Sequence, residues 1–242
     1  MKIVAIVQAR MGSTRLPGKI MKDLLGEPML TRMLARLGRT PSLDQVVVAT
    51  TEHERDQQVV DFCNERDLHV FRGSEQDVLD RYYQTAKHFQ ADLIVRCTSD
   101  CPLICPSHVE DVIQHFLANA KELDYVADFL PHRTFPMGLD TEVVTFQALE
   151  RTWRKAKEKS FREHVTLFIY RHPKEFRLSG ISNDENLSTL RWTVDTAEDL
   201  AFARNVFEHF GRDDFSWRET LAATRENPQW AMINAHIKQK EV

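Results

Sequence analysis

Three clusters of residues in this chain could do chemistry on a phosphate ester. The first is the string Gln8-Ala9-Arg10-Met11-Gly12-Ser13-Thr14-Arg15-Leu16-Pro17-Gly18-Lys19. Gly12 and Gly18 permit backbone angles that other residues avoid, Ser13 and Thr14 offer hydroxyls, and Arg10, Arg15 and Lys19 bring positive charge. Such a loop can present N–H groups and cations to a polyphosphate; taken alone, it reads more readily as a solvated basic loop, and its position at the carboxyl end of a strand argues for the former. It is not a P-loop, because five residues separate Gly12 from Gly18 where that motif has four, and Ile20 stands where a hydroxyl is required. The second cluster is Ser99-Asp100-Cys101-Pro102-Leu103-Ile104. Following an apolar strand, Asp100 is well placed for Mg²⁺, which takes a few carboxylates together with phosphates; taken alone, it serves equally well as a turn cap. The third runs from Arg191 to Leu200. Thr196 reads as a helix N-cap, with Asp199 in the place of a capping-box Glu. Asp195 then sits between a strand and that helix, and by itself is only a loop acid. Together, a cationic phosphate loop and two separated carboxylates are the equipment of metal-assisted nucleotidyl transfer.

The elements that must position these groups are legible from hydrophobic periodicity. Residues 3–7, 46–50 and 93–97 are apolar, β-branched runs and read as buried strands. Amphipathic helices fall between and after them, over Met29–Arg39 behind Pro28, His53–Arg66, Glu75–Phe89 and Ser107–Ala120. This alternation specifies an α/β fold, three-layered, with a mostly parallel sheet. In such sheets ligands bind outside the carboxyl ends of the strands. That places the site at the loops after residues 8, 50 and 98. The second half is less regular. Strands are expected at Asp124–Asp128, Glu142–Phe146, Phe176–Ile181 and Thr189–Val194, and helices at Ala148–Lys159, Arg162–Arg171 and Ala197–Phe210. The last 30 or so residues read as short outer helices. One domain over 1–242 is expected, with an arm or subdomain at about 129–188.

Composition narrows the function classes. The chain has 242 residues, 42% hydrophobic and 28% charged, with net charge −4. These are globular values, and the acidic balance argues against a nonspecific nucleic-acid binder. No run of 18 apolar residues suggests a membrane span, and the N-terminal apolar run reads as a strand, not a leader. The four cysteines read as reduced thiols of a cytoplasmic protein. Cys97, Cys101 and Cys105 have a C-x3-C-x3-C spacing that matches neither zinc nor iron–sulfur patterns, and are read as small buried side chains. Tyr82, Tyr83 and Trp192 are read as core, and Glu150–Lys159 as a solvated face.

The string from Gln8 to Lys19, continuing to Gly26-x-Pro28-Met29-Leu30, resembles the N-terminal signature of the sugar-acid cytidylyltransferases. These make CMP-activated 3-deoxy-manno-octulosonate and CMP-nonulosonates. The segments FRGSEQDVLDRYY, SDCPLICP, REHVT and RWTVDTAEDL, in that order, are most similar to the spore-coat-polysaccharide-type branch. The likeness runs from residue 2 to about residue 205. It implies a nucleotide-diphosphosugar-transferase-like sheet, a homodimer formed through the second-half arm, and CTP plus a sugar acid giving a CMP-sugar and pyrophosphate. It also implies roles by position. Arg10 and Lys19 contact the triphosphate, with Gln8, Ala9, Met11, Gly12, Ser13, Arg15 and Ser99 around the nucleotide. Arg72, Ser74 and Asp77 lie near the base. Asp100 and Asp195 hold Mg²⁺, and Asp140, Arg162 and His164 belong to the acceptor region, where Arg162 could pair with a carboxylate. Ser99 stands where the strict branches carry Gly, which leaves the acceptor open. Another nucleotide, a sugar phosphate or phosphonate acceptor, or a non-catalytic nucleotide-binding protein remain as alternatives.

Overall fold

The computed structural model describes residues 1–238; the last four residues of the expected domain lie outside it. The chain opens with β1 (Ile3–Gln8), whose end feeds the basic loop. A hairpin of β2 (Asp23–Leu24) and β3 (Glu27–Pro28) leads into α1 (Met29–Leu37). There follow β4 (Gln45–Thr51), α2 (Gln57–Asn64), β5 (His69–Gly73), α3 (Val78–His88), β6 (Leu93–Thr98) and α4 (Pro106–Ala118). The second half adds β7 (Tyr125–Ala127), β8 (Glu142–Thr145), α5 (Phe146–Lys155), α6 (Lys159–Glu163), α7 (Leu167–Arg171) and β9 (Leu178–Gly180). Three helices close the fold, α8 (Ala197–Phe210), α9 (Trp217–Glu226) and α10 (Pro228–Asn234).

Seven strands form one sheet in the order β5-β4-β1-β6-β8-β7-β9. The first four are mutually parallel; β8 runs antiparallel to β6 and β7, and β9 is parallel to β7. β1 shows why the strands read as continuous apolar runs. Ile3, Ala5 and Val7 pack with α1, α2, α4, α8 and α9, while Val4 and Ile6 pack with α3, α5, α6 and α7 on the opposite face. The sheet is therefore the middle of three layers. Tyr82, Tyr83 and Trp192 are buried, as expected, and the Tyr82 hydroxyl donates to the carbonyls of Ile6 and Cys97. All four cysteines are free and buried.

Two expectations need correction. Thr189–Val194 is not a sheet strand. Its apolar residues do pack inward, but its backbone bonds to loops: Met137 N–H donates to the Leu190 carbonyl at 3.0 Å, Trp192 N–H to that of Met137 at 2.7 Å, and Val194 N–H to that of Asp100 at 2.7 Å. Gly138, at φ +110°, permits this approach, since a Cβ there would lie 2.5 Å from the Thr193 nitrogen. The single helix expected over 162–171 is two, α6 and α7, separated by an irregular turn at His164–Thr166. β5 carried no continuous apolar signal, because it is a half-buried edge strand.

Candidate active site

Lys19 is the centre of the charged cluster. Gly18, in the left-handed region at φ 64°, turns the basic loop into a short 3₁₀ turn that buries Lys19 and Ile20. The Lys19 ammonium donates to Asp100 Oδ2 at 3.0 Å, Asp195 Oδ1 at 2.9 Å and the Val194 carbonyl at 2.8 Å. Its three protons thus have three acceptors. Burial alone would lower the Lys19 pKa, but the two carboxylates outweigh it and hold the pKa above its ordinary 10.5. Asp100 is the converse. Burial pushes its pKa up, while the Lys19 charge and a hydrogen bond from Thr98 bring it below 3.8.

Asp195 is held from behind as well as in front. Its Oδ2 accepts from Arg191 at 2.9 Å and forms an ion pair with Arg15, also at 2.9 Å. The expected capping box at Thr196 and Asp199 is present. Asp199 also accepts from Arg191 Nε at 2.8 Å and from the Asp195 N–H at 2.9 Å, so the helix cap and the site acid share one set of bonds. On the loop side, the Met11 carbonyl accepts from the N–H groups of Ser13 and Gly18 at 2.9 and 3.2 Å, while its N–H donates to Asp56 Oδ1 at 2.7 Å. Arg10 is half exposed, 3.5 Å from Glu75.

Two adjoining cavities make one cleft over the carboxyl ends of β1 and β6. The smaller, of about 330 Å³, is lined by Gln8, Ala9, Arg10, Gly12, Ser13, Arg15, Lys19 and Ser99 among others. The larger, of about 620 Å³, is lined by residues including Arg133, Asp140, Glu142 and Tyr170. Arg96, Thr98, Asp100, Glu163, His164 and Asp195 line both. Asp100 and Asp195 therefore stand at the junction of the two halves. The turn between α6 and α7 brings His164 there.

The remaining expected residues lie elsewhere. Arg72 is engaged with the carbonyls of Thr51 and His53 and with Gln57. The Ser74 hydroxyl accepts from the Asp77 N–H at 3.0 Å. Asp77 caps α3 and binds Arg162 through bonds of 2.9, 2.9 and 2.6 Å. Arg162 also donates to the Trp153 carbonyl, so its guanidinium ties α3 to α6 outside the cleft lining.

Arg96 was missed by the sequence reading. It interrupts the apolar run of β6, pairs with Glu142, and lines both halves. Glu142 also accepts from the Tyr125 hydroxyl. Burial would lower the Arg96 pKa, but the Glu142 carboxylate outweighs it and holds the guanidinium firmly charged, its pKa raised from the ordinary value. A charged residue inside a buried strand was the available signal. Arg133, which pairs with Asp140, had none, since it lies in the irregular loop between β7 and β8.

A model of the cytidylyltransferase family matches residues 4–216. The spore coat polysaccharide biosynthesis protein SpsF of Bacillus subtilis is 32% identical over 237 residues, covering 95% of this chain and 96% of that one. Among solved structures, a cytidylyltransferase from Leptospira borgpetersenii has 32% identity and a TM-score of 0.92, with 100% of each chain covered. A CMP:2-keto-3-deoxy-manno-octonic acid synthetase complexed with CTP shares the fold, with a TM-score of 0.64 at 18% identity over 86% of this chain and 99% of that one. With Lys19, Asp100 and Asp195 all inside the matched stretch, the chain belongs to the cytidylyltransferase family of nucleotidyltransferases.

Proposed function

We propose that this protein transfers CMP from CTP to a hydroxyl of a sugar acid, releasing pyrophosphate, in the making of a CMP-sugar for surface polysaccharide or glycoconjugate. The observation that carries this reading is the position of Asp100 and Asp195 at the junction between a basic, loop-lined cavity and a larger one. The first suits a triphosphate and the second a sugar acid. The donor set also fits a divalent cation. Two carboxylates already converge on one positive centre, and Mg²⁺ uses one or two carboxylates plus substrate phosphates. Bound by Asp100 and Asp195, Mg²⁺ would neutralise charge on the phosphate oxygens.

The chain's own groups do the rest. Lys19 keeps the Asp100 and Asp195 carboxylates side by side against their mutual repulsion before substrate arrives. Arg10, Arg15 and Lys19 offset the charge that grows on departing pyrophosphate. Backbone groups of Gly12 and Ser13 face the nucleotide, and Asp140 and His164 orient the acceptor. Arg162 has no place in this reading, because its guanidinium is spent on Asp77. A homodimer through residues near 129–188 and a cytoplasmic location are part of the proposal. Among the described residues no helix is long and apolar enough to cross a membrane.

Thermal stability with Mg²⁺ and each of CTP, ATP, GTP and UTP, followed by pyrophosphate release with a panel of sugar acids, tests it. A ligand at about 100 times its Kd stabilises by ~2.7 kcal/mol. A CTP-selective shift that Asp100→Ala weakens is expected. An equal shift with all four nucleotides would assign the site to a different substrate.

A further inference from the structure

The family match ends at residue 216, yet the site does not. Asn234, at the last turn of α10, is buried. Its side-chain amide donates to the Arg191 carbonyl at 3.0 Å and to Asp199 Oδ1 at 2.9 Å. Asp199 in turn fixes Arg191 through bonds of 2.8 and 3.0 Å, and Arg191 donates to Asp195 Oδ2 at 2.9 Å. The chain of contacts is continuous from the C-terminal helix to the carboxylate at the cleft junction. Asn234 binds both ends of the Arg191–Asp199 pair, backbone on one side and carboxylate on the other.

We propose that Asn234 is a positioning residue for Asp195, and that α10 thereby forms part of the active apparatus. The inference rests on the reading of Asp195 as a holder of the divalent cation. Arg191 is the buried partner of Asp195 Oδ2, beside the more exposed Arg15, and its guanidinium has several rotamers. Asp199 selects one of them, and Asn234 keeps Asp199 and the Arg191 backbone in register. Loss of the amide removes the bonds that tie Asp199 and the Arg191 backbone to α10, so the Arg191–Asp199 pair can shift and carry Asp195 Oδ2 with it. Outer partners of metal-holding carboxylates typically change affinity by about 10- to 100-fold.

The experiment measures Mn²⁺ affinity by electron paramagnetic resonance, with CTP present, on the full chain at pH 7.5. The variants are Asn234→Ala, Asn234→Asp, Asp195→Asn and Ala231→Gly. Ala231→Gly loosens the same helix without touching the network. The expected result is about a tenfold loss of Mn²⁺ affinity in Asn234→Ala, and a loss at least as large in Asn234→Asp. The near-isosteric Asp keeps the packing but sets a carboxylate against Asp199, so a residue that merely packs would show the reverse order. Ala231→Gly should stay within about twofold of wild type. Wild-type affinity in both Asn234 variants, with affinity lost in Asp195→Asn, would overturn the positioning role and leave the metal reading intact. Wild-type affinity in Asp195→Asn would overturn both.

Discussion

The two halves of the cleft are built in opposite ways. The smaller, basic half, proposed for the nucleotide, hangs from the ends of parallel strands β1 and β6, and its side chains are locked by short, numerous bonds around Lys19 and Asp195. The larger half, proposed for the acceptor, is assembled from the antiparallel side of the sheet, the loop carrying Arg133 and Asp140, and the broken turn at His164. Parallel strand ends give fixed backbone donors to a chemistry that stays the same for one nucleotide. Loops and short helices can change shape between relatives without disturbing the sheet, which suits a half that selects one acceptor. The largest expected effects should therefore fall on the first half, and selective ones on the second.

Asp195→Asn and Asp100→Asn probe the junction itself. Each should lower turnover by about 100- to 1000-fold, measured as pyrophosphate release. Near-normal rates in either would detach that carboxylate from the reaction. Arg96→Met comes next, and its effect is on stability. It leaves the buried Glu142 without its cation, at a cost of about 3–5 kcal/mol, and should lower the thermal midpoint by about 10 °C. Replacing Glu142 by Leu at the same time should recover most of that loss, since a buried pair gains little over well-packed apolar groups. Failure to recover would mean that Glu142 has a further role towards Tyr125 or the acceptor.

Arg133→Gln tests the acceptor half alone. It should raise KM for the acceptor about tenfold and leave KM for CTP within about twofold, as loss of one charged contact does. An equal effect on both substrates would dissolve the division into halves. Asp77→Ala is milder still. It removes the N-cap of α3 and frees Arg162, so about 1 kcal/mol of stability should go, with neither kinetic constant changed.

The same contrast explains what could be read from the sequence. β1, β4 and β6 are continuous apolar runs because helices cover both faces, and that signal is local. α8 was legible to the residue, because Thr196 caps it and Gly211 stops it in the left-handed region. Asp100 follows β6, Asp195 precedes α8 and Lys19 ends the loop after β1, and the structure brings the three side chains together. The failures lie where the chain's partner is another loop. Thr189–Val194 has strand-like residues, but Met137 and Asp100 take its bonds, and Gly138 alone hints at the close approach. Asp77 and Arg162 are 85 positions apart, so no local pattern marks them as partners. Arg72, expected near the base, has its guanidinium on the turn after β4, a contact that no local pattern announces.

The smallest expected effect concerns pH, and it tests whether Lys19 holds the junction together. In the wild type the Asp100 pKa lies below 3.8, so its ionised form stabilises the fold above that value and the benefit is lost only as pH falls through it. The Lys19 pKa lies above 10.5, so its charge contributes fully below that value and is lost only as pH rises beyond it. The cluster thus adds a constant stability between about pH 5 and pH 9. In Lys19→Met, burial acts on Asp100 without the opposing ammonium, and its pKa rises above the ordinary value. A carboxyl whose folded pKa is raised destabilises at high pH and is relieved on protonation. The stability gap between wild type and Lys19→Met should therefore narrow by about 1 kcal/mol as pH falls from 8 to 5, read from urea unfolding at each pH. A gap that stays constant over this range would show that Asp100 stays ionised without the Lys19 ammonium, and that Lys19 acts on the substrate only.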